Sequence, residues 1–285
     1  MDKLAILGGP KAVQSDAGDM FTWPIITEED EAAALEVLRA GKMSGTDVTM
    51  EFEKEYAEWF GSKYALGHSS GTASLHSAMF GCKVGIGDEI ICQSMTYWAS
   101  VVPAMNLGAT IVYADIDTES ITLDPASFEK AITDKTKAVV VVHYFGYPTD
   151  MDPIMEIANA RGIKVIEDVS HAHGSLYKGR MTGTIGHVGA MSCMAGKSLA
   201  IGEGGMLITD DKEIYERAIA FAHYERHGQL EDPELKKLAG IPLGGFKYRM
   251  HQLSSAVGRV QLKHYQERVD EIQKAMNFFW DQLEG

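Results

Sequence analysis

Between residues 63 and 220, short apolar runs alternate with stretches of helical periodicity, and this alternation restricts the chain more than any other feature. The runs are Tyr64-Ala65-Leu66, Glu89-Ile90-Ile91-Cys92, Thr110-Ile111-Val112-Tyr113, Ala138 to Val142, Lys164-Val165-Ile166 and Met206-Leu207-Ile208. Helices are predicted between them at 73–81, 97–107, 125–132, 150–161 and 211–222. A run such as KAVVVV has no polar side to turn to water, so its strand must be covered on both faces. Strand and helix in turn therefore predict an α/β fold with a mainly parallel sheet between helices. Ligands of such sheets gather at the carboxyl ends of the strands.

The flanks are simpler. Residues 1–26 read as irregular, and Thr27 followed by Glu28, Glu29 and Asp30 predicts an N-cap with an acidic first turn, opening a helix to about Ala40. Phe52, Tyr56, Trp59 and Phe60 recur at helical spacing before Gly61, a stripe suited to core or subunit contact. Gln252 to Leu283 reads as one long helix, with Leu253, Val257, Val260, Tyr265, Val269 and Ile272 on one side. The expected division is a large unit over 1–250 and a second segment over 251–285.

A hydrophobic content of 45% over 285 residues is enough for a substantial core, and a net charge of -14 repels phosphate backbones and anionic lipid. Nucleic acid and membrane are not expected partners. Cys82, Cys92 and Cys193 lie in apolar surroundings without metal spacing and read as reduced core thiols. The first residues lack the apolar run of a signal peptide, and no segment has the roughly 18 apolar residues of a membrane span, so a cytoplasmic location is expected. His223 and His227 share a helical spacing but HYERH lacks the glutamate of a zinc-protease helix; no metal site is predicted, and solvated or structural histidines are expected there and at His143.

Three places carry chemistry. Ser69-Ser70-Gly71-Thr72-Ala73 follows the first run and opens a helix, where free amides, the helix dipole and the Thr72 hydroxyl suit an anion; a plain Ser/Thr cap fits equally. Asp168 ends the run KVIED and stands at the carboxyl edge, either capping the next turn or facing a ligand, with His171 and His173 close behind. Lys197 lies between an apolar run and the glycine cluster Gly202-Glu203-Gly204-Gly205, which suits either a surface loop or close backbone approach to a bulky group. An anion cradle, a carboxylate, a lysine and an aromatic plate from Tyr97 or Trp98 at one sheet edge together match pyridoxal phosphate.

SSGTASLH, GDEIICQSMTYWAS, NLGATIVYADID, KAVVVVHYFGYPTDMDPI, GIKVIEDVSHAHG and GKSLAIGEGGMLITDD, in this order, resemble the DegT/DnrJ/EryC1/StrS aminotransferases over nearly the whole chain. The resemblance implies the fold-type I architecture, a three-layer α/β/α large domain, with the small C-terminal domain largely absent from these residues. It also implies a homodimer that moves an amino group from glutamate or glutamine to a keto-sugar or keto-cyclitol. By the same resemblance, Lys197 is the Schiff-base lysine and proton shuttle, Asp168 binds the pyridine nitrogen, and His171 bonds near the ring hydroxyl. Gly71, Thr72, Ala73 and Ser192 would hold the phosphate, and Tyr97 would stack on the ring.

Two residue patterns depart from the family. Relatives read Gly-Tyr-Asn-Tyr-Arg where this chain has Gly245-Phe246-Lys247-Tyr248-Arg249, so Lys247 stands where an asparagine reaches the neighbouring subunit's cofactor phosphate. It can act there as a point charge or mark a different substrate. The aromatic-Ser-aromatic lead-in to the lysine is Met191-Ser192-Cys193. Two other readings are a sugar dehydratase of the same fold, whose members carry histidine in place of the lysine, and a non-catalytic partner or regulator.

Overall fold

Strand β4 (Thr136–Val142) sits near the middle of a seven-stranded sheet, and its side chains explain the layers on either side. Ala138, Val140 and Val142 enter one apolar cluster while Val139 and Val141 enter another. The period-2 alternation of a strand sends successive residues to opposite faces, so a strand with two apolar faces joins two cores. The computed structural model describes residues 3–16, 18, 22–237 and 246–283.

In chain order the elements are α1 (Glu28–Arg39), α2 (Asp47–Phe60), β1 (Tyr64–His68), α3 (Gly71–Gly81), β2 (Glu89–Gln93), α4 (Pro103–Asn106), β3 (Thr110–Ala114), α5 (Pro125–Ala131) and β4. They continue as α6 (Met151–Arg161), β5 (Lys164–Asp168), the hairpin β6 (Leu176–Tyr177) and β7 (Arg180–Met181), β8 (Val188–Ser192), β9 (Gly205–Thr209), α7 (Lys212–Ala222), α8 (Pro233–Lys236), α9 (Gln252–Lys263) and α10 (Tyr265–Asp281). The sheet order is β1-β9-β8-β5-β4-β2-β3, and β9 alone runs against its neighbours. The mainly parallel three-layer fold thus stands.

One face of the sheet is covered by Leu75 and Met79 of α3 with Ile214 and Ile219 of α7, the other by Phe128 of α5 and Ile154 of α6. A third cluster closes the β1–β9 end, where Phe52, Tyr56 and Phe60 of α2 meet Leu262 and Tyr265. The predicted aromatic stripe is therefore core. The capping box at Thr27 is also present, the Thr27 hydroxyl accepting from the Asp30 amide and the Asp30 carboxylate from the Thr27 amide. Cys82, Cys92 and Cys193 are free and buried, and burial pushes the Cys82 and Cys193 thiols up to about 12.

Two expectations change, and one strand is added. The helix expected over 97–107 is a 3-10 turn at Trp98–Ser100 followed by α4, because Pro103 opens a new helix and has no N–H to extend an older one. Strand β8, with only one β-branched residue, is created by pairing between β5 and β9. The long C-terminal helix breaks at His264 (φ -100°, ψ 6°). Up to that point α9 is largely buried against α1 and α2; beyond it only Tyr265 of α10 is buried, its hydroxyl within 3.0 Å of His173 O and 2.8 Å of Ser198 Oγ. No helix among the described residues is long and apolar enough to cross a membrane.

Burial also sets an acid limit. It pushes His173 down to about 3, with Lys197 and His171 adding to the effect, and pushes His76 down to about 4. Both stay neutral when folded, whereas unfolded histidine takes up a proton below about pH 6.5. Their contribution is therefore complete above about pH 6.5 and is lost as pH falls toward 4 and 3, at about 1.4 kcal/mol per pH unit per histidine. Denaturant midpoints between pH 7 and 4 should fall steeply, and His173→Asn should flatten that slope.

Candidate active site

The carboxyl ends of β1, β4, β5 and β8 open on a cavity of about 590 Å³, within the range of small-molecule sites. Gly71, Thr72, Tyr97, Asp168, His171, Ser192 and Lys197 all line it. Residues 126 positions apart in sequence are thus brought to one edge by the strand order. The register places Asp168 beside Val142 of β4 and Ala190 of β8, near the centre of the sheet.

At one end of the cavity is the start of α3. Ser70 caps it, its hydroxyl accepting from the Ala73 amide at 3.1 Å. Helix geometry leaves the Gly71 and Thr72 amides without an intrahelical acceptor, beside the positive end of the helix dipole. A Cβ on Gly71 would fall 2.5 Å from Ser192 Cβ, and one on Gly205 would fall 2.4 Å from Ser70 O. The backbones of α3, β8 and β9 meet here at distances that only glycine permits. Ala73 itself is buried outside the cavity lining with its amide engaged by the cap, whereas Gly71, Thr72 and Ser192 line the cavity.

Asp168 is buried and fixed from both sides: its Oδ1 accepts from the Ser170 amide at 3.0 Å and its Oδ2 from the Ser100 hydroxyl at 2.8 Å. The Ser170 hydroxyl accepts from the Ser192 amide at 3.0 Å, tying the carboxylate to the cradle. His171 is half-buried and lies parallel to Phe145 with ring centroids 5.9 Å apart. Its Nδ1 is buried without a hydrogen-bond partner among the described residues. Burial and the charge of Lys197 lower its pKa against the opposing pull of Asp168, which keeps the ring neutral near pH 7.

Lys197 is carried on the loop between β8 and β9. Cys193 N bonds to Gly204 O, Ala195 N to Gly202 O and Lys197 N to Met194 O, each at 2.8 to 2.9 Å, so the backbone is fixed. The Trp23 indole donates to Lys197 O at 3.1 Å. The ammonium has no hydrogen-bond partner among the described residues, and burial lowers its pKa although Asp168 opposes the shift. A half-buried amine without a partner among the described residues is open to a ligand in the cavity.

Tyr97 stands exposed at the rim, with the Trp98 ring 5.1 Å from its own but outside the lining. Lys247 is exposed and lies away from this cavity; Gly245 falls outside the described residues. The segment around Lys247 runs behind β1, where Tyr248 O accepts from Ser69 N at 2.6 Å. Thr96, Ser100, Tyr144, Ser170, Met194 and Glu203 also line the cavity and escaped the sequence reading. Of these, Ser170 carried a signal: it follows Asp168 by two, the spacing of an Asx turn. His143 is buried and donates through Nε2 to Glu167 at 2.9 Å, with Nδ1 accepting from Thr149 N, a structural arrangement. His223 and His227 are buried too.

The group such a site would hold must present an anionic end to α3, a basic ring atom to Asp168 and an electrophile to Lys197. The glycine-lined cradle, the orphaned His171 Nδ1 and the unpaired Lys197 amine fit pyridoxal phosphate. This mostly parallel sheet between helices is the architecture of the fold-type I pyridoxal-phosphate transferases. More narrowly, residues 24–285 match the model of the DegT/DnrJ/EryC1/StrS aminotransferase family, and the chain belongs to that family.

Among relatives, the chain is 37% identical over 268 residues to the spore coat polysaccharide biosynthesis protein SpsC of Bacillus subtilis, covering 89% of the chain and 65% of that protein. It is 39% identical over 222 residues to GDP-perosamine synthase of Caulobacter vibrioides, covering 78% and 57%. Among solved structures, the GDP-4-keto-6-deoxy-D-mannose-3-dehydratase of Escherichia coli with bound hydrated PLP superposes with a TM-score of 0.82 at 26% identity, covering 92% of the chain and 73% of that structure. The chain thus spans less than two thirds of the length of these two curated relatives.

Proposed function

We propose that the protein binds pyridoxal phosphate in this cavity and is an aminotransferase, moving an amino group from an amino acid donor, glutamate or glutamine, to a keto-sugar or keto-cyclitol. The observation that carries the reading is the convergence of an unpaired, half-buried Lys197 and a buried, doubly bonded Asp168 on one cavity that ends in a glycine-lined anion cradle. When bound, pyridoxal phosphate supplies an aldehyde that condenses with amines and a ring that takes up the electron pair of the adjacent C–H bond.

The residues divide the remaining work. The Gly71 and Thr72 amides and the Ser192 hydroxyl receive the phosphate. Asp168 holds a proton on the pyridine nitrogen. His171, neutral, offers Nδ1 to the ring hydroxyl. The lowered basicity of Lys197 gives it a larger free-amine fraction than a surface lysine, as both nucleophile and proton carrier need. Tyr97 covers the open face of the ring.

The lysine favours amino transfer over the dehydratase reading, whose members are expected to carry histidine there. The names of the relatives support a sugar substrate. Lys247, exposed and not among the lining of its own cavity, supports a homodimer in which it reaches the phosphate held by a second copy. The reading places the enzyme in the cytoplasm, where three buried free thiols remain reduced.

Borohydride reduction of the cofactor-loaded protein followed by peptide mapping tests the assignment. The expected label is on Lys197 alone. A label on another lysine, or none, overturns it.

A further inference from the structure

Ser100, one of the two groups that fix Asp168, is itself held by a further hydroxyl. The 3-10 turn Trp98–Ser100 drives Ser100 into the protein, where it is 1% exposed and its hydroxyl donates to Asp168 Oδ2 at 2.8 Å. The Thr96 hydroxyl lies 2.7 Å from Ser100 Oγ. A serine hydroxyl has one hydrogen, and that hydrogen is committed to the carboxylate; Thr96 must therefore be the donor to Ser100. The longer Thr96 contact to Tyr97 O, 3.3 Å, then carries no hydrogen.

From this geometry we infer that Thr96 and Ser100 form a hydroxyl relay that positions Asp168 toward the ring nitrogen, making Ser100 a positioning residue of the site. The inference rests on the cofactor reading above. Each carboxylate oxygen already accepts one bond, Oδ1 from Ser170 N and Oδ2 from Ser100, so the rotamer is fixed and one lone pair per oxygen remains for the cavity. Donors on a carboxylate favour its charged form, and a donor that itself accepts a hydrogen bond is strengthened. The same short turn carries Tyr97. The aromatic plate and the relay therefore share one piece of backbone, which sets both the ring's stacking partner and its nitrogen's partner.

The test compares wild type, Ser100→Ala, Ser100→Thr and Thr96→Val, each titrated with pyridoxal phosphate. Three quantities are read: cofactor affinity, the pH midpoint of the visible band of the lysine-bound cofactor, and the melting temperature without cofactor. Ser100→Ala should weaken cofactor binding by about tenfold. It should also raise the pH midpoint by about one unit, because a less protonated ring nitrogen repels the proton on the lysine-bound nitrogen less. Thr96→Val should move both in the same sense by less, Ser100→Thr should restore them, and the cofactor-free melting temperature of Ser100→Ala should fall by only a few degrees.

Wild-type affinity and midpoint in Ser100→Ala overturn the inference, as does a change confined to the melting temperature. If Ser100→Ala does not fold, Thr96→Val alone decides, and wild-type values there overturn it. Absence of a visible band in wild type is a different failure, which removes the cofactor reading and this inference with it.

Discussion

Exchanging Arg226 for methionine should lower the stability of the chain by about 3–5 kcal/mol, the cost of leaving a buried charge without its partner. Arg226 and Glu53 are each about 5% exposed by side chain, and Arg226 Nη1 lies 2.7 and 2.9 Å from the two Glu53 oxygens. Glu53 also accepts from the Gly67 amide at 2.7 Å, and Arg226 reaches Gln229 Oε1 and the Tyr215 hydroxyl. The pair therefore joins α2, the carboxyl end of β1 and the turn after α7. Ser69 to Thr72 follow directly from that strand end, so cofactor affinity should fall along with stability. Thermal denaturation is expected to show a drop of roughly 10 °C. Adding Glu53→Gln should recover part of it, since the stranded charge is then gone. A loss below about 1 kcal/mol would show that the carboxylate finds another partner or water.

The second large effect belongs to Lys197→Ala. Removing the amine takes away both the covalent attachment and the proton carrier, and a positioned general base alone contributes about 10²–10⁴ in rate. Turnover should fall by at least about a thousandfold, with folding retained because the ammonium has no hydrogen-bond partner among the described residues to lose. A signature independent of turnover accompanies it. After burial, the charge of Lys197 is the next cause that holds the His171 pKa down, and Asp168 opposes it. Without Lys197 the His171 midpoint should move up toward the ordinary histidine value, which a proton NMR titration would read. An unchanged midpoint would mean that the two side chains do not share the cavity in solution.

Most of the site was readable because it is built from strand ends. Asp168 closes KVIED and Thr72 opens a helix after Leu66-Gly67-His68, so a parallel sheet brings them to one edge whatever the loops do. Lys197 was readable from its glycines, and Gly205 in fact presses against Ser70 O. The Ser69–Ala73 turn fits a helix cap and an anion site equally in sequence, and both can coexist: Ser70 caps the Ala73 amide, while Gly71 and Thr72 line the cavity.

What escaped the sequence depends on tertiary geometry. Ser100 reaches Asp168 only because Pro103 cuts the expected helix short and the preceding turn tightens, which no periodicity predicts. Strand β8 has weak strand propensity and exists through its two neighbours. The break at His264 lies inside an unbroken helical pattern, and it comes where α9 leaves the groove of α1 and α2 and Tyr265 turns into the core. In each case packing outweighed local preference.

If this cavity performs the donor half of an amino transfer, one absorption spectrum shows it. Purified protein is loaded with pyridoxal phosphate, its visible band is recorded, and excess L-glutamate is added, with Lys197→Ala run in parallel. The account predicts a bound visible band that disappears to shorter wavelength as 2-oxoglutarate forms in equal amount, and no such band in the variant. A bound band of equal strength in Lys197→Ala, or no bound band in the wild-type protein, would contradict it.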